Sequence, residues 1–189
     1  MIGLFALAAA AASDPLAAQA MQNLGTCIVA FTPKGAREVL EMDYNTPAYR
    51  QRLHRLLDGH QRCVPGSSIG SQQLLFAGSI AEALIRAEVK SKQLASRLEV
   101  QPGQGMIVAR SPTEAMALCT VVAAPQQSSV LLSTEAGSAQ EQAALAPLIP
   151  FMTNCSPTGL HLTANRSSLR ALIALAAWRV ASAPRSAAQ

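Results

Sequence analysis

The sequence predicts an all-α fold made of two pseudo-repeated helical units, each closed by one disulfide. Three observations predict it: residues that start helices recur along the chain, apolar residues follow helical periodicity, and four cysteines form two equally spaced pairs. A short β-hairpin-like loop after the second cysteine of each unit is the one non-helical element that the pattern allows. Its best-defined stretch is residues 160–163, where apolar and polar residues alternate.

The cysteines give the strongest organisational signal. Cys27 and Cys63 are 36 residues apart, as are Cys119 and Cys155, and the second pair lies 92 residues after the first. Self-similarity at a fixed displacement is the mark of an internal duplication. The same displacement pairs further identical residues: Val29 with Val121, Pro33 with Pro125, Leu40 with Leu132, Leu53 with Leu145 and Leu56 with Leu148.

The first twenty residues predict an export signal, and an even cysteine count in an exported protein favours disulfides over metal ligands or free thiols. Of three possible pairings, the duplication selects Cys27 with Cys63 and Cys119 with Cys155, because each ancestral unit folded with its own bridge. On the loop-closure model such a bridge stabilises the fold by about 4 kcal/mol at most. A zinc site is a weak alternative, since the chain has no C-x-x-C and only His60 lies close to a cysteine in sequence.

Helix-start signals are clearest in the second unit. Ser111 precedes Pro112 and Glu114, which combines an N-cap serine, an N1 proline and a capping-box glutamate, so a helix should run from there through residue 119. Asn165 is the expected cap of a helix that ends near residue 180. This last helix is apolar on nearly all sides, which favours the centre of a shared core over the alternative, a surface that docks on a partner protein.

The first unit should repeat this arrangement. The duplication predicts a helix over about 22–30, although residues 27–31 alone fit a buried strand equally well. Two Thr-Pro pairs, each a cap followed by an N1 proline, begin helices over about 33–42 and 47–62. A further helix should start near residue 79 and run as far as 98.

The first twenty residues predict an export signal. The apolar run 2–12 is too short to cross a bilayer, and Ala18-Gln19-Ala20 has the small-x-small pattern that a signal peptidase accepts. No lysine or arginine precedes the run, which departs from the usual pattern. No other stretch is long and apolar enough to span a membrane, so we expect an exported, periplasmic or secreted protein with a net charge of +5 after cleavage.

Pro/Gly-rich and polar stretches divide the rest of the chain. Loops are expected after the second cysteine of each unit, over 64–73 and 156–159. The predicted organisation is a signal peptide at 1–20, unit 1 at 21–100, a linker at 101–110, unit 2 at 111–182 and a disordered tail at 183–189.

The helix predicted over 47–62 is amphipathic and basic. Its apolar arc spans about 100° of the helix circumference and includes Tyr49 and His60. Four arginines lie outside that arc: Arg50, Arg52, Arg55 and Arg62. Such a face attracts an anionic partner in the envelope, either lipid or protein, whereas a merely solvated face is the simpler interpretation. The counterpart over 139–154 has no basic residue and two prolines that should break it.

No catalytic, metal-binding or cofactor motif is present in the sequence. Few aromatic residues argue against single-stranded nucleic acid, and the export signal argues against DNA. The leading hypothesis is therefore a non-catalytic binding or interaction module of the periplasm or envelope, with a ligand crevice where the units meet. The alternative is a small cofactor-free enzyme that uses His60 and nearby carboxylates, although Met152 at the equivalent position indicates packing.

The chain resembles uncharacterised exported proteins of alphaproteobacteria. The resemblance lies in the C-x35-C units and in the GHQRCVP and LLFAGSIAEALI segments, and it covers nearly all of the chain after the predicted leader. It implies periplasmic or envelope residence, and it assigns no role to any residue.

Overall fold

The computed structural model describes residues 14–63, 72–99 and 107–184. These residues form α-helices and two short 3-10 turns, Gln61–Cys63 and Ala146–Leu148, and no strand. The predicted all-α class is therefore confirmed. In chain order the helices are α1 Pro15–Phe31, α2 Pro33–Glu41, α3 Pro47–Asp58, α4 Gln73–Glu88, α5 Ser91–Leu98, α6 Pro112–Ala123, α7 Pro125–Ser133, α8 Ala139–Leu145, α9 Ile149–Cys155 and α10 Arg166–Ser182.

Three predicted caps hold their helices as expected. The side chains of Thr46, Ser111 and Asn165 each accept a hydrogen bond from the backbone N–H three residues later, at 3.2, 3.2 and 2.9 Å. Each bond satisfies one of the N–H groups that a helix start leaves without a partner. Such caps are local in sequence, which is why these helix starts were predictable.

Several helix boundaries differ from the prediction. α1 starts at Pro15, seven residues early, because Asp14 caps it by accepting from Leu16 N at 3.0 Å. The predicted cleavage position after Ala20 thus falls inside α1. The strand considered for residues 27–31 is wrong, since these residues complete the same helix.

Helices α3 and α4 show two further corrections. α3 ends at Asp58 rather than near residue 62, and Gly59 follows as its C-cap before a 3-10 turn. α4 starts at Gln73, six residues before the predicted position, and ends at Glu88. The chain is extended at Val89, whose side chain packs on the core, and then resumes as α5 against α7 and α10.

The prediction of a hairpin-like loop after the second cysteine is wrong in the second unit. Residues 156–165 contain no strand; the Leu160 N–H donates to the Pro157 carbonyl, and Gly159 adopts φ +82°. A strand needs a neighbouring backbone to pair with, and the described elements around this loop are helices. In the first unit, residues 64–71 lie outside the described part of the chain.

Helices α4 and α10 pack against each other at the centre, with α1 on the outer side of α4 and α6 on that of α10. Small residues permit the close approach: a Cβ added at Gly78 of α4 would lie 2.5 Å from Ala171 Cβ of α10. Gly25 of α1 approaches Ser79 of α4 as closely. The predicted burial of the last helix is confirmed, with Ile173 fully enclosed.

Both predicted disulfides are present. Cys27 pairs with Cys63 across a Cα separation of 5.8 Å, and Cys119 pairs with Cys155 across 5.6 Å. Pro147 and Pro150 lie where the predicted 139–154 helix divides into α8, a 3-10 turn and α9. The second bridge therefore joins α6 to α9. Two disulfides are consistent with an extracellular or otherwise oxidising compartment.

Candidate binding cavity

The predicted anion-binding arginines lie on the outer side of α3, opposite the buried Tyr49, Leu53 and Leu56. Arg52 pairs with Glu38 at 2.9 Å, and Arg55 donates to Gln51. Arg62 lies 5.4 Å from the Phe31 ring centroid, in cation-π contact. Among the described residues, only Arg52 of the four has a carboxylate partner: Arg50, Arg55 and Arg62 have none.

His60 is held by the protein at both ring nitrogens. Its Nδ1 lies 2.8 Å from the Leu56 carbonyl, and its Nε2 lies 2.6 Å from Thr32 Oγ1. Nδ1–H donates to the carbonyl, so Nε2 accepts from the threonine hydroxyl in the neutral ring. The predicted hydrogen bond to backbone is confirmed. These contacts join α3 to the bend between α1 and α2.

A cavity lies between the halves of the chain, and we call it the tyrosine cavity. It has a volume of about 290 Å³ and is bounded by the ends of α2 and α3, by α4, α6 and α10, and by both tyrosines of the chain, Tyr44 and Tyr49. Its apolar wall includes Leu74, Leu172, Leu175 and Trp178.

Polar groups cluster at one end of the tyrosine cavity. The Tyr44 hydroxyl lies 2.8 Å from Ser111 Oγ and 3.2 Å from Glu114 Oε2, and Glu114 is ion-paired with Arg179. The Arg110 side chain donates to the Met42 carbonyl at 2.8 Å. With two arginines and one glutamate, this rim carries a net positive charge.

Burial is the main influence on the pKa of the Tyr49 hydroxyl. Loss of solvation raises the pKa of its hydroxyl to about 12, against smaller effects from Arg110, which lowers it, and Tyr44, which raises it. The phenol therefore remains protonated, and a hydrogen-bond donor, throughout the physiological pH range.

A second cavity, the ion-pair cavity, has a volume of about 280 Å³ and is bounded by α1, α4, α10 and the start of α8. Arg170 of α10 meets Glu82 of α4 in a bidentate contact, 2.8 Å from Nε to Oε2 and 2.7 Å from Nη2 to Oε1. Arg170 Nη1 also lies 3.3 Å from Glu141 Oε1. All three side chains are buried.

The ion-pair cluster is satisfied by the protein. Gln22 donates to Glu82 and accepts from Ala136 N, so it links α1 to the loop before α8. Burial acts to lower the pKa of Arg170, but the hydrogen bonds and charge of Glu82, aided by Glu141, outweigh it and leave that pKa raised. Arg170 therefore stays charged.

The sequence predicted a ligand crevice where the units meet, but it identified neither cavity by its residues. Tyr49 was correctly placed on the apolar arc of its helix, but the cavity beside it arises from helices far apart in sequence. Arg170 carried a usable signal: a charged residue on a helix that is apolar all round must be buried, and a buried charge needs a partner. The partners are 29 and 88 residues away, so the sequence could not name them.

Two further properties bear on function. Among the described residues, no group of three or more His, Cys, Asp or Glu side chains is arranged to hold a metal ion. Within the same ranges, no single helix combines the length and hydropathy of a membrane span; α6 and α7 meet that test only as a pair bent by 101°.

Comparison with known proteins gives no family for this chain. No family model, no curated protein and no solved structure matches it. The cavities and the surface of the protein are therefore the features that bear on its function.

Proposed function

We propose that this protein is an exported, non-catalytic binding module that takes up a small apolar molecule in the tyrosine cavity. The observation that carries the proposal is a cavity of about 290 Å³ with apolar walls and polar groups at one end. Proteins bind small molecules in clefts of this type, which often form where domains meet. An apolar cavity of about 150 Å³ holds benzene, so this one has room for roughly two such volumes.

The proposal includes an internal duplication, with the cavity on the seam between the two copies. Thr32 and Ala124, 92 residues apart, form the same bend between helices, with φ/ψ of −141°/60° and −134°/58°. Met42 and Thr134, again 92 residues apart, both end a helix in extended backbone. These matches support the pseudo-repeat that the cysteine spacing predicts.

Export is the second part of the proposal, and the disulfides and the apolar leader support it. Cleavage after Ala20 would remove Asp14, Ala17 and Ala18 from the wall of the ion-pair cavity. Of the described residues that line the tyrosine cavity, none precedes Leu40. Cleavage after Ala20 would therefore leave the described wall of the tyrosine cavity complete.

Intact mass of protein purified from the periplasm tests export. We expect a chain that begins at Met21, resists thiol alkylation, and yields peptides in which Cys27 is linked to Cys63. A retained leader or alkylated thiols would contradict export.

The single tryptophan provides a direct test of ligand binding, because Trp178 lies in the cavity wall. We expect 1-decanol to change Trp178 fluorescence saturably and to raise the melting temperature, as a ligand of the folded state must. If decanol causes neither change up to its solubility limit, the proposal is wrong.

A matched pair of variants tests whether decanol binds in the tyrosine cavity. Leu74, 37% exposed, lies in the cavity wall, whereas Leu162, 40% exposed, does not. Leu74→Phe should narrow the cavity and weaken decanol binding severalfold, while Leu162→Phe leaves it unchanged. Equal effects of the two substitutions would place the ligand elsewhere.

A second candidate function is an anionic contact through α3. The specific observation is that Arg50, Arg55 and Arg62 have no carboxylate partner among the described residues, while their α8–α9 counterpart has no cation at all. Charges of this kind attract anionic surfaces over a Debye length of about 8 Å at physiological salt.

Vesicle binding tests this candidate. Replacing Arg50, Arg55 and Arg62 with glutamine should abolish salt-sensitive binding to vesicles that contain anionic lipid. Replacement of three exposed lysines removes the same charge elsewhere and should retain most of the binding: Lys34, Lys90 and Lys92. Equal loss in both triple variants would indicate only a net-charge effect.

A further inference from the structure

Tyr49 is a buried residue whose hydroxyl has no hydrogen-bond partner among the described residues. The residue is 7% exposed, and within the described part of the chain its hydroxyl makes no hydrogen bond. The oxygen is not sealed in protein, and Tyr49 lines the tyrosine cavity, so its O–H opens toward that cavity. A hydroxyl that faces a cavity and bonds to no protein group can donate to a bound acceptor without breaking a bond within the protein.

The neighbouring tyrosine shows the contrast. Tyr44 OH is within bonding distance of Ser111 and Glu114, and is thus satisfied by the protein itself. The two hydroxyls line one cavity, yet only that of Tyr49 is left to meet a hydrogen-bond acceptor from outside the chain.

Arg110 gives that acceptor a preferred charge. Its guanidinium donates to the carbonyls of Met42 and Glu41, and among the described residues it forms no ion pair with a carboxylate. It lies close enough for its charge to act on Tyr49. Glu114, the one acidic group that the described residues contribute to the cavity wall, is already paired with Arg179. The polar end therefore favours an anion.

We propose that the tyrosine cavity binds an apolar carboxylic acid of medium chain length, with the carboxylate at Tyr49 and Arg110 and the chain along Leu172, Leu175 and Trp178. This inference rests on the proposed function and names the ligand class for the same site. The Tyr49 hydroxyl donates to a carboxylate oxygen, and Arg110 supplies the countercharge without releasing its carbonyl acceptors. The volume, about twice that of a benzene-sized cavity, fits a chain of about ten carbons.

The experiment compares decanoate, 1-decanol and decylamine, three probes with one chain and different head groups, followed by Trp178 fluorescence and by thermal unfolding. We expect decanoate to bind at least about tenfold more tightly than decylamine, because hydrogen bonds to charged groups are the stronger ones. Tyr49→Phe should weaken decanoate binding by about tenfold and decanol binding by less than about threefold. Tyr44→Phe is the control, since its hydroxyl is already occupied, and should change decanoate binding by less than about threefold.

The outcomes separate the two proposals. If all three probes bind with equal affinity, the acid specificity is wrong and the apolar site stands. Unchanged decanoate binding in Tyr49→Phe would likewise overturn the assignment. If no probe binds, both the site and its specificity are wrong.

Discussion

The tyrosine cavity and the ion-pair cavity have nearly equal volumes, about 290 and 280 Å³, and both lie beside the α4–α10 contact. Their chemistry differs. The ion-pair cavity places three buried charged side chains against one another, whereas in the tyrosine cavity the hydroxyl of Tyr49 has no acceptor among the described residues. Volume alone therefore does not distinguish a ligand site from a structural void; the state of the polar groups in the wall does.

The duplication proposed above sharpens this comparison. Glu141 lies 92 residues after Tyr49, and each follows a cap residue at the start of a helix. One copy carries a carboxylate that meets Arg170, and the other carries a phenol that meets nothing in the described chain. If the two positions are equivalent, as we propose, one difference in side chain accounts for the contrast between the two cavities.

The largest expected effect is that of Arg170→Met. Removal of the arginine leaves Glu82 and Glu141 buried without their principal partner, and breaking a buried pair in this way costs about 3–5 kcal/mol. Urea unfolding should show that loss. Arg37→Met is the control, because the Arg37–Glu88 pair is solvent-exposed and worth at most about 1 kcal/mol. Equal losses of unfolding free energy in the two variants would mean that the buried ion pairs do not stabilise the fold more than an exposed pair does.

A high-pH experiment tests the burial of Tyr49. Its pKa is raised from about 10 to about 12, so the folded state holds the proton more tightly than the unfolded state does. Stability is unaffected below pH 10 and falls between pH 10 and 12, by up to about 3 kcal/mol. Urea unfolding at stepped pH should show this loss in the parent protein.

Tyr49→Phe removes the titrating group and should flatten most of that decline. Some decline remains, because burial also raises the pKa of Tyr44. An identical high-pH profile in the variant would mean that Tyr49 is not buried as described.

Gly78→Ala should disturb the packing that positions both cavities. The added methyl group would lie 2.5 Å from Ala171 Cβ, so α4 and α10 must separate, and overpacking of this kind costs about 1–3 kcal/mol. Gly59→Ala is the control, since Gly59 has an ordinary helical φ of −68° and its added Cβ would lie 3.2 Å from the Arg55 carbonyl oxygen, so the stability should change by less than about 1 kcal/mol in either direction. Equal thermal stability of the two variants would contradict the close helix contact.

The sequence predicted features that depend on neighbouring residues. The caps at Thr46, Ser111 and Asn165 act over three residues, and Tyr49 was correctly assigned to a buried face from periodicity alone. The disulfide pairing was also correct, because the predicted duplication reduced a long-range problem to a comparison within the chain.

What the sequence could not predict depends on contacts between distant elements. The break at Val89 is set by packing against the core rather than by a proline or glycine. The partners of Arg170 lie on two other helices, and the missing acceptor of Tyr49 is a property of the whole cavity. A hydroxyl on an apolar arc has the same sequence pattern whether or not the fold supplies it with a partner.

The smallest expected effect separates the two tyrosines. Tyr44→Phe removes a hydroxyl that the protein satisfies, and should cost about 1 kcal/mol in unfolding free energy. Tyr49→Phe removes a buried hydroxyl that has no partner, so the unliganded protein should lose nothing or gain a few tenths of a kcal/mol. Urea unfolding of the two variants beside the parent, at neutral pH and without ligand, measures both.

The same substitution at Tyr49 should lower the stabilisation that decanoate provides, so a residue that contributes nothing to the empty fold would contribute to the bound one. A loss of about 1 kcal/mol at Tyr49 without ligand would show that the protein itself supplies an acceptor, and the phenol would then be as structural as the charges of the ion-pair cavity.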